Sequence, residues 1–232
     1  MRLRSVLCLF LLSAPVALCA TAQTPLPPPA TGAQIVFTFE HPQLQPKRYS
    51  FTIDESGKGR FVSTPGNAAT DDDLVPIPMD RTVQIDPSFA AALFQYARAH
   101  NFFDTHCNND RGNLAFDGNK TFAYSGPDGK GSCSFVWAVD PALQRFSDRL
   151  GGVAFTLEIG QRLGLEVQHD RLGLDAELET LQDAVKDHRA AGLANIAQQL
   201  QTIADDQQVM NRARKRALAL LSRCETPPSR TE

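Results

Sequence analysis

Beyond its first two dozen residues, the chain has no apolar run approaching the roughly 20 residues that a membrane helix needs, and this excludes a spanning helix from the remainder. It also lacks a charge stripe: the formal net charge is -3, with acids and bases interspersed, so nucleic acid is not an expected partner. Three catalytic or cofactor signatures are missing. There is no H-E-x-x-H zinc helix, no G-x-S-x-G nucleophile elbow and no G-x-x-x-x-G-K-[ST] phosphate loop. No cofactor is expected on these grounds.

What is present begins with a leader. Arg2 and Arg4 precede an apolar run that ends in Ala20-Thr21-Ala22, the three parts of a secretory signal peptide over residues 1–22. The expected cleavage follows Ala22, with a cut after Ala20 as the alternative. Cys19 raises a lipid-anchored form, against which Leu18 stands in place of the small residue such processing prefers. Residues 23–32, "QTPLPPPATG", read as an extended proline-rich tether. The expected address is export, to the periplasm or the medium. The rest, about 200 residues, is enough for one large domain or two small ones.

Cys8 and Cys19 depart with the leader, leaving Cys107, Cys133 and Cys224. In an oxidising compartment a pair is expected to oxidise where geometry permits, and three cysteines allow three single-bridge connectivities. Cys107-Cys133 is the first choice, because both lie within the stretch of mixed strand and helix.

That stretch, residues 33–167, opens with strand patterns. "QIVFTFE" is followed by Tyr49, Phe51 and Ile53 alternating with Ser50, Thr52 and Asp54, the period of a half-buried strand. Glu55 to Gly59 turn the chain into a return strand at Phe61 and Val62, and "TVQI" is a further short strand. Asp86-Pro87 then supplies an N-cap and a first helical residue; Phe89, Leu93, Phe94 and Ala97 form the apolar face. The helix is expected to end near Asn101, with Phe102 and Phe103 packed beneath it. "KTFAYSG" and "SCSFVWAV" predict a second hairpin about Pro127 to Gly131, with Cys133, Phe135 and Trp137 on one face. Asp140-Pro141 opens a second helix carrying Leu143, Phe146, Leu150, Val153 and Leu157, with a kink expected at Gly151-Gly152. The recurrence of strand pair, Asp-Pro and helix leaves an internal duplication open.

From residue 168 strand signals vanish. Three helices are predicted up to residue 224: Asp175 to His188, Gly192 to Ala204 and Gln207 to Ser222, followed by a flexible tail over 225–232. The fold class is therefore α+β, an antiparallel sheet of hairpins with two packed helices and a small C-terminal helical bundle.

Two resemblances attach to these residues. "YSFTIDESGKGRF", "IDPSFAAALFQYARAHNFF" and "KTFAYSGPDGKGSCSFVWAVDPALQRFSDRL" resemble uncharacterised exported bacterial domains, in the order hairpin, helix ending in "FF", hairpin, Asp-Pro helix. This implies a fold and an exported address, and no chemistry. "GLANIAQQLQTIADDQQVMNRARKRALALL" looks like a HEAT-type helical pair, with room for one repeat and part of another.

Candidate chemistry is sparse. In "YSGPDGKGSCSF", Gly126 lies three residues before Gly129-Lys130, Gly131 holds the hydroxyl position and a strand follows, so the stretch reads as a turn. On this reading Gly129 and Gly131 supply backbone freedom. His100, Asp104, His106 and Asp110 form the one local cluster of metal-capable or acid/base groups, against which stands a reading as solvated loop residues. Asp71-Asp72-Asp73 lacks the spacing of a calcium loop. "RARKR", Arg212 to Arg216, reads as a solvated helical face favouring the helix C-terminal dipole. Asn119-Lys120-Thr121 is a sequon with no glycan assigned. The leading expectation is a non-catalytic exported module that binds a protein or envelope partner. A hydrolase with a site near His100 to Asp110 and an envelope structural or stress protein are the alternatives.

Overall fold

The computed structural model describes residues 32–66, 77–110 and 114–224. The signal peptide, nearly all of the tether, the Asp71-Asp72-Asp73 run and the tail lie outside the described residues.

Among the described residues six strands form one antiparallel sheet: β1 (Gln34–Glu40), β2 (Arg48–Asp54), β3 (Lys58–Thr64), β4 (Met79–Gln84), β5 (Asn119–Gly126) and β6 (Gly129–Phe135), in the order β4-β3-β2-β1-β5-β6. The period-2 pattern puts one residue type on each face. Across the covered face the register aligns Phe61, Phe51, Phe37, Phe122 and Cys133 in one row. Ring centroids in this row lie 4.8 Å apart for Phe51–Phe61 and 4.7 Å for Phe37–Phe122, spacings at which aromatic pairs add to the burial energy. The other face carries Thr38, Ser50, Thr52 and Thr121. At the β4 edge, Asn195 acts as a strand partner: its Oδ1 accepts from the Gln84 amide at 2.8 Å and its Nδ2 donates to the Gln84 carbonyl at 3.0 Å. This blunts part of an edge that could otherwise pair with another chain.

Helix α1 (Pro87–Ala99) starts as its sequence predicts, with Asp86 accepting from the Phe89 amide at 2.9 Å. Helix α2 (Pro141–His169) is capped likewise by Asp140, which accepts from the Ala142 amide at 2.8 Å. The kink expected at Gly151-Gly152 is absent, and α2 runs unbroken for 29 residues. Tertiary contact explains the glycine: a Cβ on Gly152 would lie 2.9 Å from the Arg189 carbonyl oxygen, so the notch admits the chain that crosses α2. The Ala191 amide donates to the Gly152 carbonyl there.

The C-terminal helices are α3 (Leu174–Lys186), α4 (Ala197–Asp205) and α5 (Asn211–Cys224), with a 3-10 turn at Leu193–Ile196. Leu178, Leu181, Ile196, Leu200, Ile203, Ala213, Ala217 and Leu220 are buried, joining the sheet's core in one contiguous cluster. The fold is α+β, with the helical bundle following the sheet. The three arginines of "RARKR" have partners on neighbouring elements, while Arg212 and Lys215 remain exposed. Arg212 and Arg216 pair with the buried Asp175 at 2.6 and 3.0 Å, and Arg214 donates to the Ala204 carbonyl near the end of α4.

The Arg212 and Arg216 guanidiniums hold the Asp175 carboxyl below the usual carboxylate range. A depressed folded value means that the pair contributes fully above the unfolded pKa of about 3.9, and that its contribution is lost as pH falls through the folded value. Urea midpoints of wild type should therefore drop more steeply than those of Asp175→Asn on going from about pH 6 to about pH 3. Parallel profiles would remove the pair from the stability of α3 on α5.

Candidate functional site

The cluster predicted from the loop after α1 does not converge. The His100 ring stacks on Tyr96 with centroids 3.9 Å apart, and its Nε2 lies 3.8 Å from the Asp140 carboxylate. The Tyr96 hydroxyl donates to the same carboxylate at 2.7 Å. His106 instead pairs with Asp110 at 2.9 Å, both well exposed. The backbone of Asp104 closes the Asn101–Phe103 turn, accepting from the Asn101 amide side chain at 3.2 Å. Among the described residues no three His, Cys, Asp or Glu side chains are grouped so as to hold a metal ion.

Cys107 and Cys133 are bridged, with Cα atoms 6.1 Å apart, inside the range a disulfide accepts. The bridge fastens the chain leaving α1 alongside β6. Here the hairpin glycines have a different purpose from the one expected. Neither has a positive φ. Instead Gly129 faces the Phe102 ring, and a Cβ on Gly131 would lie 2.6 Å from the Phe102 carbonyl oxygen. Asn101, Phe102 and Phe103 all have positive φ, at 50°, 57° and 69°. This left-handed turn lays Phe103 against Phe122 and Phe102 against Tyr124, at 5.3 and 5.0 Å, so both rings pack on β5 rather than only beneath α1. Strand β6 ends at Phe135, so Trp137 is outside it; its Nε1 donates to the Ala115 carbonyl.

A cavity of about 330 Å³ opens between the sheet and α2, a volume at the lower end of small-molecule sites. Its floor is Phe37 and Phe39 of β1 and Tyr49 of β2. Helix α2 provides Ser147, Asp148, Gly151 and Gly152; Asp117 and Lys120 close one side, His188 and Arg189 another. Gly151 leaves the space open, since a Cβ there would meet only the Tyr49 hydroxyl, at 3.6 Å. A groove of about 300 Å³ between α2 and α4 is lined by Gln168, Gln198, Gln199 and Thr202 with no charged group, and offers less chemistry.

Lys120 is the least expected member. Its side chain is only 6 % exposed, yet Nζ donates to the Asp117 carboxylate at 2.7 Å and the Val136 carbonyl at 3.0 Å, and lies 5.2 Å from the Trp137 ring centroid. A buried ammonium with these partners is compensated. The signal for it was in the strand period, because Lys120, Phe122 and Tyr124 alternate on one face. His188 has φ 58°, at the end of α3 where glycine is the usual left-handed residue. Tyr49 is 8 % exposed, and its hydroxyl borders the cavity opposite Gly151. Burial, and after it the Asp117 and Asp148 carboxylates, push the phenol well above its ordinary range, so it stays protonated. No known family model matches the chain, and no curated protein matches it.

Proposed function

We propose that the protein is an exported, non-catalytic binding module whose ligand occupies the cavity between β1, β2 and α2. The observation that carries this reading is the Tyr49 side chain on the cavity floor, its ring packed on Phe39 and Phe51 and its hydroxyl open to the cavity where α2 carries Gly151. Export is supported by the leader pattern, and the Cys107–Cys133 bridge is compatible with it. No helix among the described residues is long and apolar enough to cross a membrane. The likeness to exported bacterial domains and to a HEAT-type end belongs to the same proposal, with the helical segment as the place for a protein or envelope partner. A hydrolase centred on His100 to Asp110 has less support, since His100 and His106 serve separate carboxylates.

Gly151→Leu tests the site by filling it from a helical position that tolerates leucine. In thermal-shift measurements against amines, carboxylates, sugars and nucleosides, at least one class should raise the melting temperature of wild type and fail to raise that of the variant. Equal responses in the two proteins, or none in wild type, would refute the cavity as the binding site.

A further inference from the structure

We infer that the groove between α2 and α4 binds a neutral, hydroxyl-rich ring, the chemistry of an unmodified sugar. This site is separate from the cavity over Tyr49. Its floor is aliphatic: Leu163 and Val167, one turn apart on α2, are respectively fully buried and packed against the core. Gly164 keeps the space above them wide, since a Cβ there would meet no atom within 4 Å. A volume of about 300 Å³ has room for one ring rather than a chain of them.

The polar side of the groove consists of amides and one hydroxyl. Gln199 lines it, and its Oε1 is buried without a hydrogen-bond partner among the described residues. A buried acceptor left unpaired is costly, and a donor seated in the groove would complete it. Gln168, Gln198 and Thr202 are exposed around the same space. The Thr202 hydroxyl donates to the Gln198 carbonyl at 3.0 Å, so towards a ligand it acts as an acceptor. A primary amide both donates and accepts, and so does each sugar hydroxyl. No charged side chain lines the groove among the described residues. An ammonium or carboxylate seated there would therefore lose water without gaining a counter-charge. A wholly apolar ligand would cover the amides and leave them unpaired. A sugar ring meets both demands, with its C–H face on Leu163 and Val167 and its hydroxyls on the glutamines.

NMR titration of the full chain without its leader, followed through the side-chain amide resonances, tests the assignment. The probes are glucose, galactose and mannose, each with its amino-sugar and uronic-acid counterpart, and acetylglycinamide as a neutral ligand of peptide type. At least one neutral hexose should bind and shift the Gln199 amide, and its charged counterparts should bind at least tenfold more weakly. Gln199→Met keeps the length of the side chain and removes the acceptor; it should weaken the hexose at least fivefold while leaving the melting temperature near wild type. Gly164→Leu fills the groove from a helical position and should abolish binding, whereas Gly151→Leu, in the other cavity, should leave it unchanged. The ring could be a free sugar or the end of a glycan: a disaccharide binding more tightly than its hexose identifies the glycan, and equal or weaker binding the free sugar. Absence of binding by every hexose, charged counterparts bound equally well, or affinity unchanged in Gln199→Met would overturn the inference. So would binding lost in Gly151→Leu and kept in Gly164→Leu, which would place the sugar over Tyr49. Acetylglycinamide binding where no hexose does would make the groove a peptide site instead.

Discussion

Replacing Cys107 and Cys133 together by serine is expected to lower the unfolding free energy by about 3 to 4 kcal/mol. The two cysteines are 26 residues apart, and the bridge removes the loop-closure freedom that this segment would otherwise have in the unfolded chain. In the folded protein the segment has other attachments that survive the substitution. The Asn109 amide donates to the Trp137 carbonyl at 2.7 Å, the Val139 amide to the Cys107 carbonyl at 2.9 Å, and the Val136 amide to Asn108 Oδ1 at 2.9 Å. The fold should therefore persist with a lower denaturation midpoint. Reductant should bring the wild-type midpoint to that of the double variant and leave the variant unmoved. A wild-type midpoint indifferent to reductant would exclude the bridge from the stability of the protein.

Gly131→Val should cost about 3 kcal/mol, the upper end of ordinary overpacking. The obstacle is backbone: an added Cβ lies 2.6 Å from the Phe102 carbonyl oxygen and 2.9 Å from the Asp104 amide nitrogen. That backbone has little latitude, because three consecutive left-handed residues each cost about 1 to 2 kcal/mol and are held by the buried Phe103 and by the turn's own hydrogen bonds. Gly129→Ala should cost less. Its obstacle is the Phe102 ring, which can swing away at the expense of its contact with Tyr124. Reversing the order of the two costs in urea denaturation would mean that the left-handed turn yields more easily than the ring. Because Cys133 and Gly131 fasten the same segment, their effects should not add, and a triple variant should fall short of the sum.

The hairpin from Tyr124 to Phe135 shows how far residue patterns carry. Its strands, its turn and the inward face of Cys133 follow from alternation and from Pro-Asp-Gly. The reason for its glycines does not, because the group they make room for, Phe102, is held there by a left-handed turn at non-glycine residues. The Gly151-Gly152 pair is similar. Local propensity argues for a weak point in α2, whereas the packed chain at Arg189 and Ala191 makes the missing side chain useful and leaves the helix unbroken. For the loop cluster His100, Asp104, His106 and Asp110, a metal or acid/base reading stood against one as solvated loop residues; the turn after α1 sends His100 towards Asp140 and leaves His106 with the exposed Asp110.

By itself the sequence determined the fold class and the Asp-Pro helix starts, and it narrowed the cysteine pairing to three possibilities with Cys107–Cys133 first. Each depends on short-range period, on capping chemistry or on a small number of combinations. Only the tertiary structure decided the cavity. Tyr49, Asp117, Asp148 and Arg189 come from one strand, two loops and a helix, and no spacing along the chain encodes their meeting. Their convergence follows from packing α2 across the covered face of the sheet, where a glycine in the helix leaves a tyrosine hydroxyl facing open space.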